Sequence, residues 1–203
     1  MAKLYYYYST MNAGKSTTLL QASHNYLERG MQTLLFSPAI DTRGGTATIE
    51  SRIGLKKEAI SFDINFNFFE YVREKKSVLH TLSCVLIDES QFLTKLQVIQ
   101  LTDVASTLSI PVLCYGLRSD FQGEPFEGSK YLLTLAEEMI EIKTVCSCGK
   151  KATMNMRIGP DGEPVREGAQ VHIGGNEAYT AKCMKCFKAQ MPSMRSSAVM
   201  QTV

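Results

Sequence analysis

The stretch from Ser9 to Thr17 constrains the fold more than any other part of the chain. It reads Ser-Thr-Met-Asn-Ala-Gly-Lys-Ser-Thr and lies between Leu4–Tyr8, an aromatic run typical of a buried strand, and Thr18–Ala22, which has the composition of a helix. A bend of this kind lets backbone N–H groups converge on a phosphate, because the first N–H groups of a helix lack internal partners. We predict that Lys15 reaches the β- and γ-phosphates of a nucleotide and that the Ser16 hydroxyl holds Mg²⁺.

One position in this stretch departs from the usual phosphate-loop pattern, G-x-x-x-x-G-K-[ST]. Ser9 stands where the first glycine is expected. The loop must therefore enter through backbone angles that an L-residue tolerates. The alternative to phosphate binding is an ordinary corner between a strand and a helix. A second strand that ends in acidic residues further along the chain would favour phosphate binding over this alternative.

The segment Cys84–Ile87 is such a strand. It is apolar throughout, and the acids Asp88 and Glu89 follow it directly. A buried parallel strand of this composition delivers Asp88 to the carboxyl edge of a sheet, beside the phosphate loop. We predict that Asp88 holds Mg²⁺ directly or through a water molecule. Glu89 is the candidate general base, since a carboxylate there would accept a proton from a hydroxyl that attacks the γ-phosphorus.

The order of the predicted strands and helices indicates an α/β fold, a P-loop parallel sheet flanked by helices. Strand, phosphate loop, helix and a second strand at Thr33–Phe36 form a βαβ unit, with Gly30 placed to end the helix. Further along, a strand is expected at Ile110–Gly116, a helix at Ser129–Met139 and a last strand at Ile140–Thr144. We therefore predict an ATP-binding α/β domain over residues 1–144.

Two loops at the ligand-binding edge of this sheet contain candidate residues, and each pair has two possible roles. Asp41 and Arg43 follow the second strand and would either reach the nucleotide or form a solvated loop. Phe121 and Phe126 follow the strand that ends near Gly116. Their rings would either stack on a flat ligand or pin the loop to the body of the protein.

After residue 144 the composition changes, and four cysteines occur in two close pairs. Cys146 and Cys148 form the first pair, and Cys183 and Cys186 the second. Four thiolates in this arrangement match a tetrahedral structural Zn²⁺ site, although one intervening residue in the first pair is fewer than usual. Disulfides are the alternative, which a reducing compartment disfavours. We predict a zinc-ribbon-like domain over residues 145–189 and a disordered tail over residues 190–203.

Composition limits the classes of partner. Lys and Arg total 22 against 20 Asp and Glu, for a formal charge of +2, which gives no sign of a broad nucleic-acid surface. We expect no secretory signal, because the N-terminal residues run into the tyrosine-rich strand without an apolar h-region. No apolar run approaches the roughly 20 residues of a membrane helix. The sequence therefore predicts a cytoplasmic protein.

Several of these motifs together resemble the thymidine kinases of the bacterial and human-cytosolic type. The resemblance spans about residues 2–189 and rests on the phosphate loop, on the segments 41–43, 88–92 and 115–121, on the turn at 173–175 and on the four cysteines. It implies transfer of phosphate from ATP to thymidine, and to similar nucleosides such as deoxyuridine, in nucleoside salvage. It also implies a homotetramer and feedback inhibition by thymidine triphosphate.

The resemblance further implies roles for individual residues. Those assigned to ATP and Mg²⁺ are Ser9, Thr10, Met11, Asn12, Ala13, Gly14, Lys15, Ser16, Asp41, Arg43, Asp88, Glu89, Ser90 and Gln91, with Lys15 and Glu89 catalytic. Those assigned to thymidine are Met11, Phe92, Leu117, Phe121, Phe126, Gln170, Val171, His172, Ile173, Gly174 and Tyr179, of which the stretch 170–174 with Tyr179 would form a lasso loop over the base. Cys146, Cys148, Cys183 and Cys186 would hold Zn²⁺.

Two other functions use the same motifs. One is a P-loop ATPase or switch in which Glu89 polarises water and the zinc-binding segment serves as an interaction module. This alternative leaves the aromatic loop near Phe121 without a task. The other is a kinase for a different nucleoside, such as deoxycytidine, with the same catalytic residues.

Overall fold

The aromatic run at the start of the chain forms the strand β1 (Leu4–Ser9), an inner strand of a six-stranded sheet. The structure is a computed structural model that describes residues 1–39, 47–171 and 178–191. The chain divides into two units. The first contains Met1–Ser9, Ala13–Arg118 and Pro125–Ile142, and the second contains Thr10–Asn12, Ser119–Glu124 and the chain from Lys143 onward.

All strand pairs in the sheet of the first unit are parallel. Parallel strands require crossover connections, and most of these run through the helices, so the expected α/β fold is confirmed. Besides β1, the sheet contains β2 (Gln32–Pro38), β5 (Ile60–Phe62), β6 (Leu82–Ile87), β7 (Val112–Leu117) and β8 (Glu138–Glu141). The strand order is β5-β2-β6-β7-β1-β8. A hairpin of β3 (Thr48–Glu50) and β4 (Lys56–Glu58) lies outside the sheet.

Helices cover both faces of the sheet because its inner strands are apolar on both sides. The first-unit helices are α1 (Lys15–Leu27), α2 (Phe68–Val78), α3 (Lys95–Leu108) and α4 (Glu127–Leu135). In β2, Leu34 and Phe36 belong to a core cluster shared with α2 and α3, whereas Leu35 belongs to a second cluster shared with α1. The alternation follows from the period of two in a strand.

The expected boundaries at the end of the first unit are wrong by a few residues. The predicted helix 129–139 is α4, which ends at Leu135, and the predicted strand 140–144 is β8, which begins at Glu138. β8 starts early because the backbone N–H of Glu137 already donates to Leu4 O, and pairing with β1 continues from Glu138. Among the described residues, no helix is both long and apolar enough to cross a membrane.

The second unit is built from short elements and two small apolar clusters. Its strands pair antiparallel, β9 (Thr144–Val145) with β10 (Lys151–Ala152) and β11 (Met154–Arg157) with β12 (Tyr179–Lys182). The helix α5 (Met184–Gln190) follows, and Phe187 packs with Met154, Met156 and Met191. Residues 192–203, most of the tail expected to be disordered, lie outside the described residues.

Candidate active site

The phosphate loop leaves β1 after Ser9 and enters α1 through Gly14, as the sequence predicts. Gly14 has a φ of 86°, in the left-handed region that favours glycine, and an added Cβ would meet nothing within 4 Å. The backbone angle, rather than lack of space, therefore explains this glycine. Gly14 provides no side-chain cap to α1, and the N-terminus of a helix favours an anion.

The middle of this loop, Thr10–Asn12, belongs to the second unit and is held by it. The Met11 N–H donates to Asn155 Oδ1 at 2.8 Å, and Asn155 Nδ2 donates to Ser119 O at 2.8 Å. Asn12 has a φ of 62°, and its amide donates to Tyr179 O at 3.4 Å. Asn155 is buried in β11, and sequence reasoning missed it because a lone asparagine carries no motif.

Asp88 follows β6 and meets Ser16 from the first turn of α1. Ser16 Oγ donates to Asp88 Oδ2 at 3.1 Å. Burial, and next the neighbouring Glu89 carboxylate, raise the pKa of Asp88 to about 7, whereas the Lys15 ammonium acts in the opposite direction. Burial likewise lowers the pKa of Lys15, which Glu89 and Asp88 partly offset. A cation beside Asp88 would remove the cost of burying its charge, so Ser16 and Asp88 fit Mg²⁺.

Glu89 adopts a backbone conformation that is unusual for its residue type. Its φ of 47° and ψ of 41° are left-handed, which costs a residue with a Cβ on the order of 1–2 kcal/mol. Its N–H donates to Asp88 Oδ1 at 3.0 Å, and its half-buried carboxylate accepts a hydrogen bond from Gln91 Nε2. Strain of this kind is retained where the surroundings hold it, and it points to function.

The candidate nucleoside residues of the first unit lie close to this turn. Phe92 and Phe126 pack edge to face, with ring centroids 6.0 Å apart. Leu117 ends β7 and is buried, as is Phe126. Ser90 is also completely buried. The structure thus brings Lys15, Ser16 and Asp88–Phe92 to the carboxyl edge of one sheet.

The loop 119–124 of the second unit is organised by Asp120, a second buried residue that sequence reasoning missed. Asp120 Oδ1 accepts from the N–H groups of Gln122 and Glu124, and Oδ2 accepts from Gln170 Nε2 at 3.0 Å. Phe121 is 1% exposed, and the Arg157 guanidinium lies 5.5 Å from its ring centre. The Phe121 and Phe126 rings are both buried, and their role in stacking or packing stays a prediction.

Some of the remaining residues predicted for the site lie within the described part of the chain, and others lie outside it. Gln170 and Val171 are exposed, and Tyr179 begins β12 and is half-buried. The other five lie outside the described residues, namely Asp41, Arg43, His172, Ile173 and Gly174.

The prediction that four cysteines come together is confirmed. Cys146 and Cys148 lie in the turn between β9 and β10, and Cys183 and Cys186 lie at the start of α5. Their sulfur atoms are all within 4.8 Å of one another, and those of Cys148 and Cys183 are 3.6 Å apart. Four sulfurs around Zn²⁺ lie roughly 3.8 Å apart at the usual Zn–S distance, so the cluster fits this ion.

Backbone hydrogen bonds favour the thiolate form at two of the four cysteines. The N–H groups of Cys148 and Cys183 lower the pKa of Cys146 to about 6, and a backbone N–H also lowers the pKa of Cys183. Cys84 and Cys114 are the two other cysteines, and they are buried in β6 and β7 as core residues. Burial raises the pKa of Cys84 to about 12.

Comparison with known proteins points to one family. A family profile described as thymidine kinase matches residues 2–187. The chain is 60% identical to the thymidine kinase of Legionella pneumophila (strain Lens) over 188 residues, which cover 93% of this chain and 90% of that one. It is 55% identical to the thymidine kinase of Coxiella burnetii over 193 residues, covering 95% and 98% of the two chains.

A third relative and one solved structure complete the comparison. The thymidine kinase of Zymomonas mobilis is 56% identical over 194 residues, which cover 96% of this chain and 100% of that one. The Pif1 helicase from Candida albicans is similar in structure with a TM-score of 0.41 at 14% identity, covering 71% of this chain and 36% of that chain. This last likeness is too distant to inform fold or function.

Proposed function

The chain belongs to the thymidine kinase family, and on that premise we propose that it transfers the γ-phosphate of ATP to the 5′-hydroxyl of thymidine. The observation that carries this proposal is the position of Glu89 directly after Asp88, whose carboxylate meets Ser16 at the start of α1. This position would let Glu89 act as general base for an acceptor hydroxyl beside the groups suited to bind phosphate and its metal ion.

Binding of the ATP phosphates falls to the loop and to Lys15. The N–H groups at the start of α1 supply partial positive charge, and Lys15 adds a full one. Lys15 is buried, and low surrounding polarity strengthens its attraction to phosphate oxygens. Ser16 and Asp88 would hold Mg²⁺, which, when bound, neutralises charge on the phosphates.

Transfer requires the acceptor hydroxyl to lose its proton as it attacks. The 5′-oxygen forms a bond to the γ-phosphorus, the bond from this phosphorus to the β–γ bridging oxygen breaks, and ADP leaves with that electron pair. Glu89 takes the hydroxyl proton. Glu89 is half-buried next to Asp88, so it stays partly accessible to a substrate. The protein otherwise contributes position and charge, which phosphoryl transfer mainly needs.

In the second unit, the four cysteines would hold a structural Zn²⁺. The contacts with thymidine stay predictions at Phe92, Leu117 and Phe126 in the first unit and at Met11, Phe121, Gln170, Val171 and Tyr179 in the second. The homotetramer, feedback inhibition by thymidine triphosphate and a cytoplasmic location also stay predictions.

A single assay tests this function against the two alternatives. The purified protein is incubated with ATP, Mg²⁺ and each of thymidine, deoxyuridine, deoxycytidine and deoxyguanosine, and nucleoside monophosphate and ADP are both measured. We expect thymidine monophosphate and ADP in equal amounts. Monophosphate formed from deoxycytidine but not from thymidine would support another nucleoside kinase. ATP hydrolysis that no nucleoside changes would support an ATPase or switch.

A further inference from the structure

The side chain of Gln91 uses both ends of its amide inside the protein. Its Oε1 accepts the Leu117 N–H at 3.0 Å, and its Nε2 donates to a carboxylate oxygen of Glu89. The orientation of the amide is determined by these partners, because an N–H only donates and a carboxylate only accepts. With 3% of its surface exposed, Gln91 is a buried link between β7 and Glu89.

The far end of this link is itself anchored. The carbonyl oxygen of Leu117 accepts hydrogen bonds from the Tyr6 hydroxyl at 2.7 Å and from the Ser129 hydroxyl at 2.5 Å. Both of these side chains are completely buried. Leu117 is therefore bound through its N–H and its carbonyl, and the Gln91 amide is attached to a rigid part of the sheet.

Two glycines leave room for the short helical turn Ser90–Phe92 that carries Gln91. A Cβ on Gly116 would lie 2.5 Å from Ser90 Oγ and 3.0 Å from Gln91 Oε1. A Cβ on Gly128 would lie 2.5 Å from Ser90 O and 2.9 Å from Gln91 O. A glycine inside a strand such as β7 often marks a close approach of this kind.

We infer that Gln91 is a positioning residue that holds the Glu89 carboxylate for proton transfer. The inference rests on the proposed function of Glu89 and differs from the role in nucleotide binding that the family resemblance implies for Gln91. Loss of the amide would remove a hydrogen bond that fixes the Glu89 carboxylate, whose direction the backbone angles alone do not set. A misplacement of about 1 Å at a reacting group costs on the order of 10²-fold in rate.

Two substitutions test the two ends of the link. Gln91→Met removes both hydrogen bonds at similar volume, and Gln91→Glu keeps the acceptor for Leu117 but replaces the donor to Glu89 with a carboxylate that repels it. We expect both to lower kcat about 10–100-fold while KM for ATP stays within about twofold. An unchanged kcat with a raised KM for ATP would overturn the inference and make Gln91 a nucleotide ligand.

Gln97 provides a matched control for loss of stability. Gln97 is 2% exposed. Its amide oxygen accepts the Thr94 N–H at the start of α3, and its amide nitrogen donates to Asp63 O at 2.7 Å. Gln97→Met should lower the melting temperature but leave kcat unchanged. If Gln91→Met does not fold, Gln91→Glu decides, since it keeps the contact with the sheet. A kcat loss in Gln97→Met equal to that in the Gln91 variants would overturn the inference.

A double-mutant cycle separates this inference from the proposed function. If Gln91 acts through the Glu89 carboxylate, Glu89→Gln combined with Gln91→Met should have the same kcat as Glu89→Gln alone. Losses that multiply would overturn the positioning role and leave Glu89 as base. A normal kcat in Gln91→Met and Gln91→Glu with a low one in Glu89→Gln would do the same. A normal kcat in Glu89→Gln would overturn the proposed function itself.

Discussion

The two units of this chain are stabilised in different ways. In the first, apolar side chains cover both faces of a six-stranded sheet, and two core clusters join the sheet to its helices. In the second, one cluster consists of Met154, Met156, Phe187 and Met191, and the other of Cys146, Ala152 and Cys183. A small unit that buries little apolar surface gains more from a cross-link than the first unit, whose apolar core is larger.

The units also differ in where their polar groups are used. In the first unit, polar and charged side chains lie together at the start of α1, where Ser16 donates to Asp88 and Lys15 interacts with Asp88 and Glu89. In the second, buried Asn155 and Asp120 use their polar atoms to tie separate chain segments together. The two units can therefore be perturbed separately.

The largest expected effect is the loss of metal from the second unit. The isolated protein should contain about one Zn²⁺ per chain, bound with an apparent free energy of about 10–16 kcal/mol. Cys183→Ser and strong chelators should remove hydrogen-exchange protection from β11, β12 and α5 but leave it in β1, β6 and β7. Cys114→Ala, in the core of the first unit, should keep the metal. A metal-free preparation with full activity and equal hydrogen-exchange protection in both units would show that the second unit does not depend on Zn²⁺.

The next effect is on the chemistry of the first unit. Glu89→Gln should lower kcat about 10²–10⁴-fold, the range of general acid–base contributions, because an amide does not accept the hydroxyl proton. ATP affinity and the melting transitions of both units should change little. Glu74→Gln, an exposed position on α2, should keep full activity. Near-normal turnover in Glu89→Gln would remove the proposed base.

A smaller effect is expected from packing near the candidate base. Gly128→Ala should destabilise the first unit by about 1–3 kcal/mol, the usual cost of overpacking, because its Cβ would meet three backbone oxygens of residues 90–93. Thr134→Ala, exposed on the same helix, should stay within about 0.5 kcal/mol of the wild type. Denaturant unfolding measures both, and equal values for the two variants would contradict the packing argument.

The smallest effect concerns alkaline pH. Burial raises the pKa of Tyr6 well above its usual value, so the folded state keeps a proton that the unfolded state releases near pH 10. The free energy of unfolding should therefore fall above about pH 10, by about 1.4 kcal/mol per pH unit for this group. Tyr6→Phe should flatten this slope by that amount, while losing about 1 kcal/mol at neutral pH with the hydrogen bond to Leu117. An unchanged slope would show that Tyr6 does not contribute.

Sequence reasoning succeeded where chemistry is local. The strand, glycine bend and helix around Lys15 are confirmed, as is the apolar strand that delivers Asp88, because each depends on neighbours in the chain. It missed Asn155 and Asp120, whose partners are distant in sequence and whose residue types fit any loop or strand. It also gave no task to Gly128, because its close contacts arise only after α4 packs against the turn at Ser90–Phe92.

By itself, then, the sequence determined the family, the α/β class, the phosphate loop and the four cysteines. These are patterns of residue type at fixed spacing, and such patterns persist in any conformation of the chain. Only the tertiary structure decided that Glu89 has a left-handed backbone, that Gln91 links it to Leu117 and that Asn155 holds Met11. Those features are distances and angles between separate segments, and they exist only after packing has brought the segments together.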